Sequence, residues 1–258
     1  MLDRRVPAAG LPEILLLSAV ALVAGTIDAI GGGGGLLTIP ALLGVGLPPH
    51  LALGTNKGQS VFGSFAALVR FARGGLVDPR RARVTFPLGL AGSLAGAALA
   101  LAIPASALRP VVVGLLAFAA LFVGLRRAPP RVEDAPKRRG SLPIAGAIAL
   151  AVGAYDGFFG PGTGTFLILG FVAFLGDGLA HASAGAKVVN FASNLAALAL
   201  FAARGTVVWR LAIPMAACQL AGGWVGAHLA IRRGDAVVRR VVVAVALAAA
   251  ARLAWDLL

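Results

Sequence analysis

Apolar residues fall into ten runs, near 11–30, 36–47, 51–72, 84–103, 106–125, 143–158, 165–176, 181–203, 211–231 and 236–257. None shows the period-two alternation of a barrel strand, and all are rich in Ala, Leu and Gly. Eight reach, or nearly reach, the roughly 20 residues that carry a helix across a bilayer. The runs 36–47 and 165–176 are short, at 12 residues each. Lipid offers no hydrogen bonds to an open backbone, so helices are the remaining solution. The pattern predicts an all-α polytopic membrane protein with eight long transmembrane helices and two short, broken or re-entrant ones.

The order of these runs repeats. A shift of 130 positions places Lys57 on Lys187, Ala66-Ala67-Leu68 on Ala196-Ala197-Leu198, Gly92 on Gly222, Gly96 on Gly226 and Arg109 on Arg239. Upstream, with a small indel, Gly25-Thr26-Ile27-Asp28 corresponds to Gly153-Ala154-Tyr155-Asp156. Two homologous repeats, 11–125 and 143–257, are expected on either side of a basic cytoplasmic linker, 126–142, that carries six Lys and Arg and three prolines. Residues 1–25 have the elements of a signal peptide, but the first apolar run recurs in mid-chain and is read as a retained membrane helix.

Composition agrees with a lipid solvent: 59% hydrophobic residues, 13% charged and a mean hydropathy of +0.91. The net charge of +13 would point to nucleic acid in a soluble chain. Here the arginines cluster between apolar runs, where the positive-inside rule puts them, so nucleic acid is excluded as a partner. Loop charge allows two topologies. Four spans per half make the halves parallel, and five make them inverted with 70–83, 126–139 and 232–240 inside. Each gives 15 loop Lys/Arg inside and 5 outside. The single cysteine, Cys218, leaves no intramolecular disulfide or cysteine zinc site. His50, His181 and His228 lack metal-ligand spacing, so neither metal nor cofactor is expected.

Two constellations carry candidate chemistry. The first is Asp28 followed by Gly31, Gly32, Gly33, Gly34 and Gly35, matched by Asp156 followed by Gly160, Pro161, Gly162, Thr163 and Gly164. Each glycine costs a helix about 1 kcal/mol relative to Ala, so both runs should break their helices. Paired Gly/Pro breaks at corresponding positions point to a transporter binding site, where half-helix N-termini present free N–H groups. Gly92/Gly96 and Gly222/Gly226 are instead spaced for close helix packing. Neither glycine run has the context of a nucleotide loop.

The second constellation is Lys57 with Asn56 and Ser60, and Lys187 with Asn190 and Asn194. An intramembrane cation is costly and therefore a functional hypothesis, and one set among amide and hydroxyl donors suits an anion. The alternative is structural, with Lys57 paired to Asp28 and Lys187 to Asp156, or both lysines snorkelling to an interface. Asp28 and Asp156 then serve coupling or gating. The expected partners are a small anionic substrate and the lipid bilayer, with a homo-oligomer allowed.

Gly25-Thr26-Ile27-Asp28 with Gly31–Gly35, Leu36-Leu37-Thr38-Ile39-Pro40, Gly54-Thr55-Asn56-Lys57, Tyr155-Asp156-Gly157-Phe158-Phe159-Gly160-Pro161 and Ala186-Lys187 through Asn194 resemble the sulfite exporter TauE/SafE family of membrane transporters. The resemblance covers nearly the whole chain and is strongest to the family's bacterial "probable membrane transporter" branch. It implies a duplicated, multi-pass inner-membrane exporter of small anions of the sulfite, sulfonate or carboxylate type. Two other classes compete. Tyr155-Asp156 with Leu175-Gly176-Asp177 superficially resembles an intramembrane aspartyl protease, but Phe174 stands where that family needs glycine. A membrane assembly or accessory protein without transport would leave the polar stripes unexplained.

Overall fold

The computed structural model describes residues 10–125 and 142–233, and every regular element within them is an α-helix. In chain order these are α1 (Leu11–Gly31), α2 (Gly35–Gly44), α3 (Pro49–Arg73), α4 (Pro79–Ala102), α5 (Ala105–Leu125), α6 (Leu142–Phe158), α7 (Thr163–Leu175), α8 (Leu179–Ala203) and α9 (Trp209–Arg233). They match the first nine apolar runs. The tenth run, 236–257, most of the basic linker, and the repeat's match at Arg239 lie outside the described residues.

Local chemistry sets the helix starts. Proline opens α1, α3 and α4, where a missing N–H has no cost. The Asp78 carboxylate caps α4, accepting from the backbone N–H of Arg80 at 2.8 Å and of Arg81 at 3.4 Å. By length and hydropathy α1, α4 and α8 are apolar enough to cross a membrane. At 25 residues α3 is as long as α8, but its mean hydropathy is lowered by His50, Thr55, Asn56, Lys57, Gln59 and Ser64. All six are buried, so they face the interior of the bundle.

The spaced glycines are packing devices, as their spacing predicts. A Cβ at Gly92 would lie 2.1 Å from the carbonyl oxygen of Leu150, and one at Gly96 1.9 Å from that of Ala154. On the other side, a Cβ at Gly222 would lie 2.2 Å from the carbonyl of Leu22, and one at Gly226 2.2 Å from that of Thr26. Thus α4 lies backbone-to-backbone on α6, and α9 on α1. The contacts that one half makes on the other recur with the halves exchanged.

The two long inner helices run in opposite directions. The start of α4, just after α3 ends, meets the turn entering α8 through an ion pair between Arg81 and Asp177. At the other end, the turn leaving α8 meets the start of α3, where the N–H of Val208 donates to Thr55 Oγ1 at 3.0 Å. Short α2 turns back along α1, and Leu42 and Leu47 share a core cluster with Leu17 and Ala21.

Gly96→Ala should destabilise the protein despite alanine's better helix propensity, by the roughly 1–3 kcal/mol that overpacking costs. Gly114→Ala, where an added Cβ meets nothing within 4 Å, should leave the melting temperature in detergent unchanged or raise it. Equal behaviour of the two variants would refute the close α4–α6 contact.

Candidate functional site

Both glycine runs break the chain, over shorter stretches than the runs themselves. Non-helical backbone covers residues 32–34 and 159–162, whereas Gly31, Gly35, Thr163 and Gly164 are already helical. Gly32 and Gly33 have φ of 76° and 94°, and Gly160 and Gly162 have φ of 101° and 83°, which only glycine adopts at low cost. The breaks abut. A Cβ on Gly32 would lie 2.2 Å from the nitrogen of Thr165, and one on Gly35 3.1 Å from Pro161 Cα. The first turns of α2 and α7 therefore converge; the N–H groups of Leu36 and Leu37 donate to the carbonyls of Gly33 and Gly34 at 2.9 and 3.0 Å, and that of Thr163 to the carbonyl of Gly160 at 3.1 Å. Thr165 ties the junction together by donating to the carbonyl of Gly31 at 3.0 Å.

Four charges lie beside this junction, and they pair across the halves. Lys57 Nζ donates to Asp156 Oδ1 at 2.8 Å, and Lys187 Nζ donates to Asp28 Oδ2 at 2.7 Å. This corrects the structural alternative drawn from the sequence, which joined each lysine to the aspartate of its own half. The reason is geometric: α3 and α8 lie between the halves, so each lysine meets the break of the other. Snorkelling is also excluded, since Lys57 and Lys187 are 1% and 0% exposed.

The pairs differ in access. The Asp156 side chain is 5% exposed and also accepts from Thr163 Oγ1 at 3.0 Å and from Ser193 Oγ. Asp28 accepts from the backbone N–H of Gly34 at 3.3 Å, and its side chain keeps 23% of its exposure.

The amides complete the network. Lys57 Nζ also donates to Asn194 Oδ1 at 3.1 Å, and Asn194 Nδ2 donates to the carbonyl of Asn190 at 2.7 Å. Asn190 is buried beside Gly164, and its Oδ1 has no hydrogen-bond partner. Asn56 Oδ1 accepts from Thr38 at 2.6 Å and from Gln59 at 3.0 Å. Ser60 is half-buried, and among the described residues its hydroxyl meets only Gln59, at 3.5 Å, so it stands outside the lysine–aspartate network. Sequence reasoning missed the roles of Thr38, Ser193 and Arg81. Thr38 is a polar residue in an otherwise apolar run and Ser193 is a polar neighbour of Asn190 and Asn194, which was the available signal; Arg81 reads as ordinary loop charge.

The two ends of the bundle differ. Beside the Arg81–Asp177 pair lies a cavity of about 340 Å³ whose lining includes Thr85, His181 and Val188, the last adjacent in sequence to Lys187. At the 130-residue shift, Arg81, Thr85 and Asp177 fall on Leu211, Met215 and Leu47. Those three are 1%, 0% and 4% exposed and belong to one apolar core cluster. One end is closed by a charged pair beside a cavity, and the other by a dry plug. Asp156 and Asp177 are each engaged by a different cation, which leaves no aspartate dyad for proteolysis.

The sulfite exporter TauE/SafE family model matches residues 17–253. The chain is 38% identical to the "Probable membrane transporter protein ORF9" of a Sinorhizobium species, over 94% of this chain and 93% of that protein. It is 38% identical to "Probable membrane transporter protein YfcA" of Escherichia coli K12, covering 93% and 89% of the two chains. A "Probable membrane transporter protein" of Haemophilus influenzae is also 38% identical, with 96% of each chain covered. No solved structure matches significantly. The chain belongs to the sulfite exporter TauE/SafE family and is a membrane transporter, not an enzyme.

Removing one member of a buried ion pair strands the other, at a cost of about 3–5 kcal/mol. Lys57→Met should therefore lower the melting temperature sharply, and adding Asp156→Asn should restore much of the loss. If the double variant melts no higher than the single one, the two groups are not coupled.

Proposed function

We propose that the protein binds small oxyanions, of the sulfite, sulfonate or carboxylate type, between the two chain breaks and exports them across the cell inner membrane. The observation that carries this reading is the convergence of two buried lysines and two helix N-termini on one junction, each lysine balanced by an aspartate of the other half. Lysine ammonium groups and the positive ends of helix dipoles both favour negative charge. The binding residues are Gly31 to Gly35, Asn56, Lys57, Gly160, Gly162, Thr163, Gly164, Lys187, Asn190 and Asn194, with Asp28 and Asp156 as gating counter-ions. Ser60 is left out of the set because, among the described residues, its hydroxyl makes no hydrogen bond to any of these side chains.

The two halves, 11–125 and 143–257, act as inverted homologous repeats. The opposite directions of α3 and α8 and the exchanged glycine contacts support this, and inversion is the topology that puts 70–83, 126–139 and 232–240 on the cytoplasmic side. The cavity beside Arg81 then opens to the cytoplasm, and the Leu47–Leu211 plug closes the outer face. Substrate enters from inside, beside the more accessible of the two ion pairs. With the cell interior negative, outward movement of one net negative charge is favourable by about 2.3 kcal/mol per 100 mV, so export of a monoanion needs no coupled ion.

Proteoliposomes with the potential clamped by potassium and valinomycin test both site and direction. Flux of sulfite or a small sulfonate should follow the imposed potential. It should fall at least about tenfold in Lys57→Ala and Lys187→Ala, the equivalent of losing one charge-assisted contact, and stay near the parent value in Arg80→Ala, an exposed residue at the start of α4. Equal losses in all three, or flux that ignores the potential but follows a proton gradient, would overturn the reading. Melting-temperature shifts with sulfite, sulfonates, sulfate and carboxylates, read on the same variants, separate lost binding from lost folding.

A further inference from the structure

A second basic cluster sits far from the junction, on the outer seam where α3 and α9 end together. Arg70 donates to His228 Nδ1 through Nε at 3.3 Å, and Nη2 lies 2.8 Å from the same atom. The guanidinium carbons of Arg70 and Arg73 lie 6.0 Å and 5.5 Å from the ring centre of Trp224. Trp224, His228 and Arg232 follow one another at four-residue spacing and so share a face of α9. Among the described residues no carboxylate forms an ion pair with Arg70, Arg73 or Arg232. Three permanent positive charges thus lie together, with no carboxylate paired to them among the described residues.

The surroundings say what kind of anion fits. Along α9, Leu220 lies one turn before Trp224 on the same face, and along α3 Phe62 lies three turns before Arg73. Leu220, Trp224 and Phe62 are exposed, at 41%, 37% and 43%. The seam therefore grades from an exposed apolar surface, through one indole, to a cluster of guanidinium groups. That is the profile of a phospholipid seen from its acyl chains to its headgroup. The repeat supplies an internal comparison. At the 130-residue shift, Arg70 and Arg73 fall on Leu200 and Ala203, and Trp224, His228 and Arg232 fall on Leu94, Ala98 and Ala102. The corresponding α8–α4 seam is apolar at all five of these positions, so the basic cluster is no consequence of the fold itself.

We propose that the α3–α9 seam is a binding site for one anionic phospholipid, its phosphodiester held by Arg70 and Arg73 over Trp224 and its acyl chains lying along Phe62 and Leu220. Arg70 is aimed by His228, which leaves the rest of its guanidinium fork for the phosphate. Arg232 adds charge from the neighbouring turn. The site is independent of the junction between the breaks.

Purified full-length protein in phosphatidylcholine nanodiscs, titrated with phosphatidylglycerol or cardiolipin and read by native mass spectrometry, tests the proposal. One lipid should be retained, and Arg70→Gln with Arg73→Gln should weaken retention about thirtyfold, as two headgroup arginines at roughly 1 kcal/mol each imply. Arg80→Gln, which removes a charge from the same end but lies off the seam, should leave retention unchanged. Glycerol phosphate and inorganic phosphate should fail to compete at millimolar concentration, because they lack the acyl chains. Equal losses in the seam and control variants would mean diffuse charge attraction, and full competition by inorganic phosphate would mean a free-anion site. Either result overturns the proposal. Because neither arginine touches the lysine–aspartate network, transport substrate shifts measured on the same variants stay intact if they merely fold.

Discussion

A lysine ammonium cannot sit in a low-dielectric interior alone, because the desolvation penalty amounts to several kcal/mol even after relaxation. Two buried lysines therefore dictate much of the central architecture. Each requires a carboxylate within direct reach, and each finds it at the end of a helix from the other half: Asp156 for Lys57 and Asp28 for Lys187. The aspartates in turn lie one turn before a glycine break, where a backbone N–H or a first-turn hydroxyl completes their coordination. For the halves to approach closely enough, their helices must meet at the backbone. The glycines at 92, 96, 222 and 226 allow that. Breaks, charges and spaced glycines are thus parts of one solution.

Much of this was legible in the sequence. A five-glycine run cannot stay helical, and the alignment of Lys57 with Lys187 and Asp28 with Asp156 survives any reading of the apolar segments. The partner of each lysine was not legible. Spacing along one helix tells which residues share a face, but which half supplies the counter-ion depends on how α3 and α8 are threaded between the halves. The same limit hid Ser193, whose hydroxyl reaches Asp156 across two helices. It also hid the Arg81–Asp177 pair, whose members are 96 residues apart in sequence. Ser60 shows the same limit from the other side: its helical phase puts it near Lys57, yet the lysine bonds to Asp156 and Asn194.

The departures from repetition are as informative as the repeat. Duplication, as proposed, would start with equal ends, and here the end beside the α3–α4 turn carries Arg70, Arg73, Arg81, Asp177 and His228 where the matched positions of the other end carry Leu or Ala. Leu47, Leu211 and Met215 belong to a buried apolar cluster whose side chains offer water no strong hydrogen bond. A charged pair beside a cavity is different, since its members gain hydration as they separate. In the proposed cycle the two ends would therefore open by different physics, one by wetting a polar contact and the other by parting an apolar core.

That difference bears on how an anion crosses without leaving a lysine uncompensated. In the proposed cycle an arriving oxyanion takes the place of the aspartate as counter-ion, so the ammonium exchanges one negative partner for another and is never stripped of both. The displaced aspartate keeps its backbone and hydroxyl donors, which bear part of the cost of its lost lysine. Asp28, with one backbone N–H and residual exposure, is the easier of the two to release, whereas Asp156 is held by Lys57, Thr163 and Ser193 together. Substrate arriving from the cavity side thus meets the looser pair first, and the tighter pair, whose lysine lies nearer the end closed by the plug, stays locked until the first has yielded.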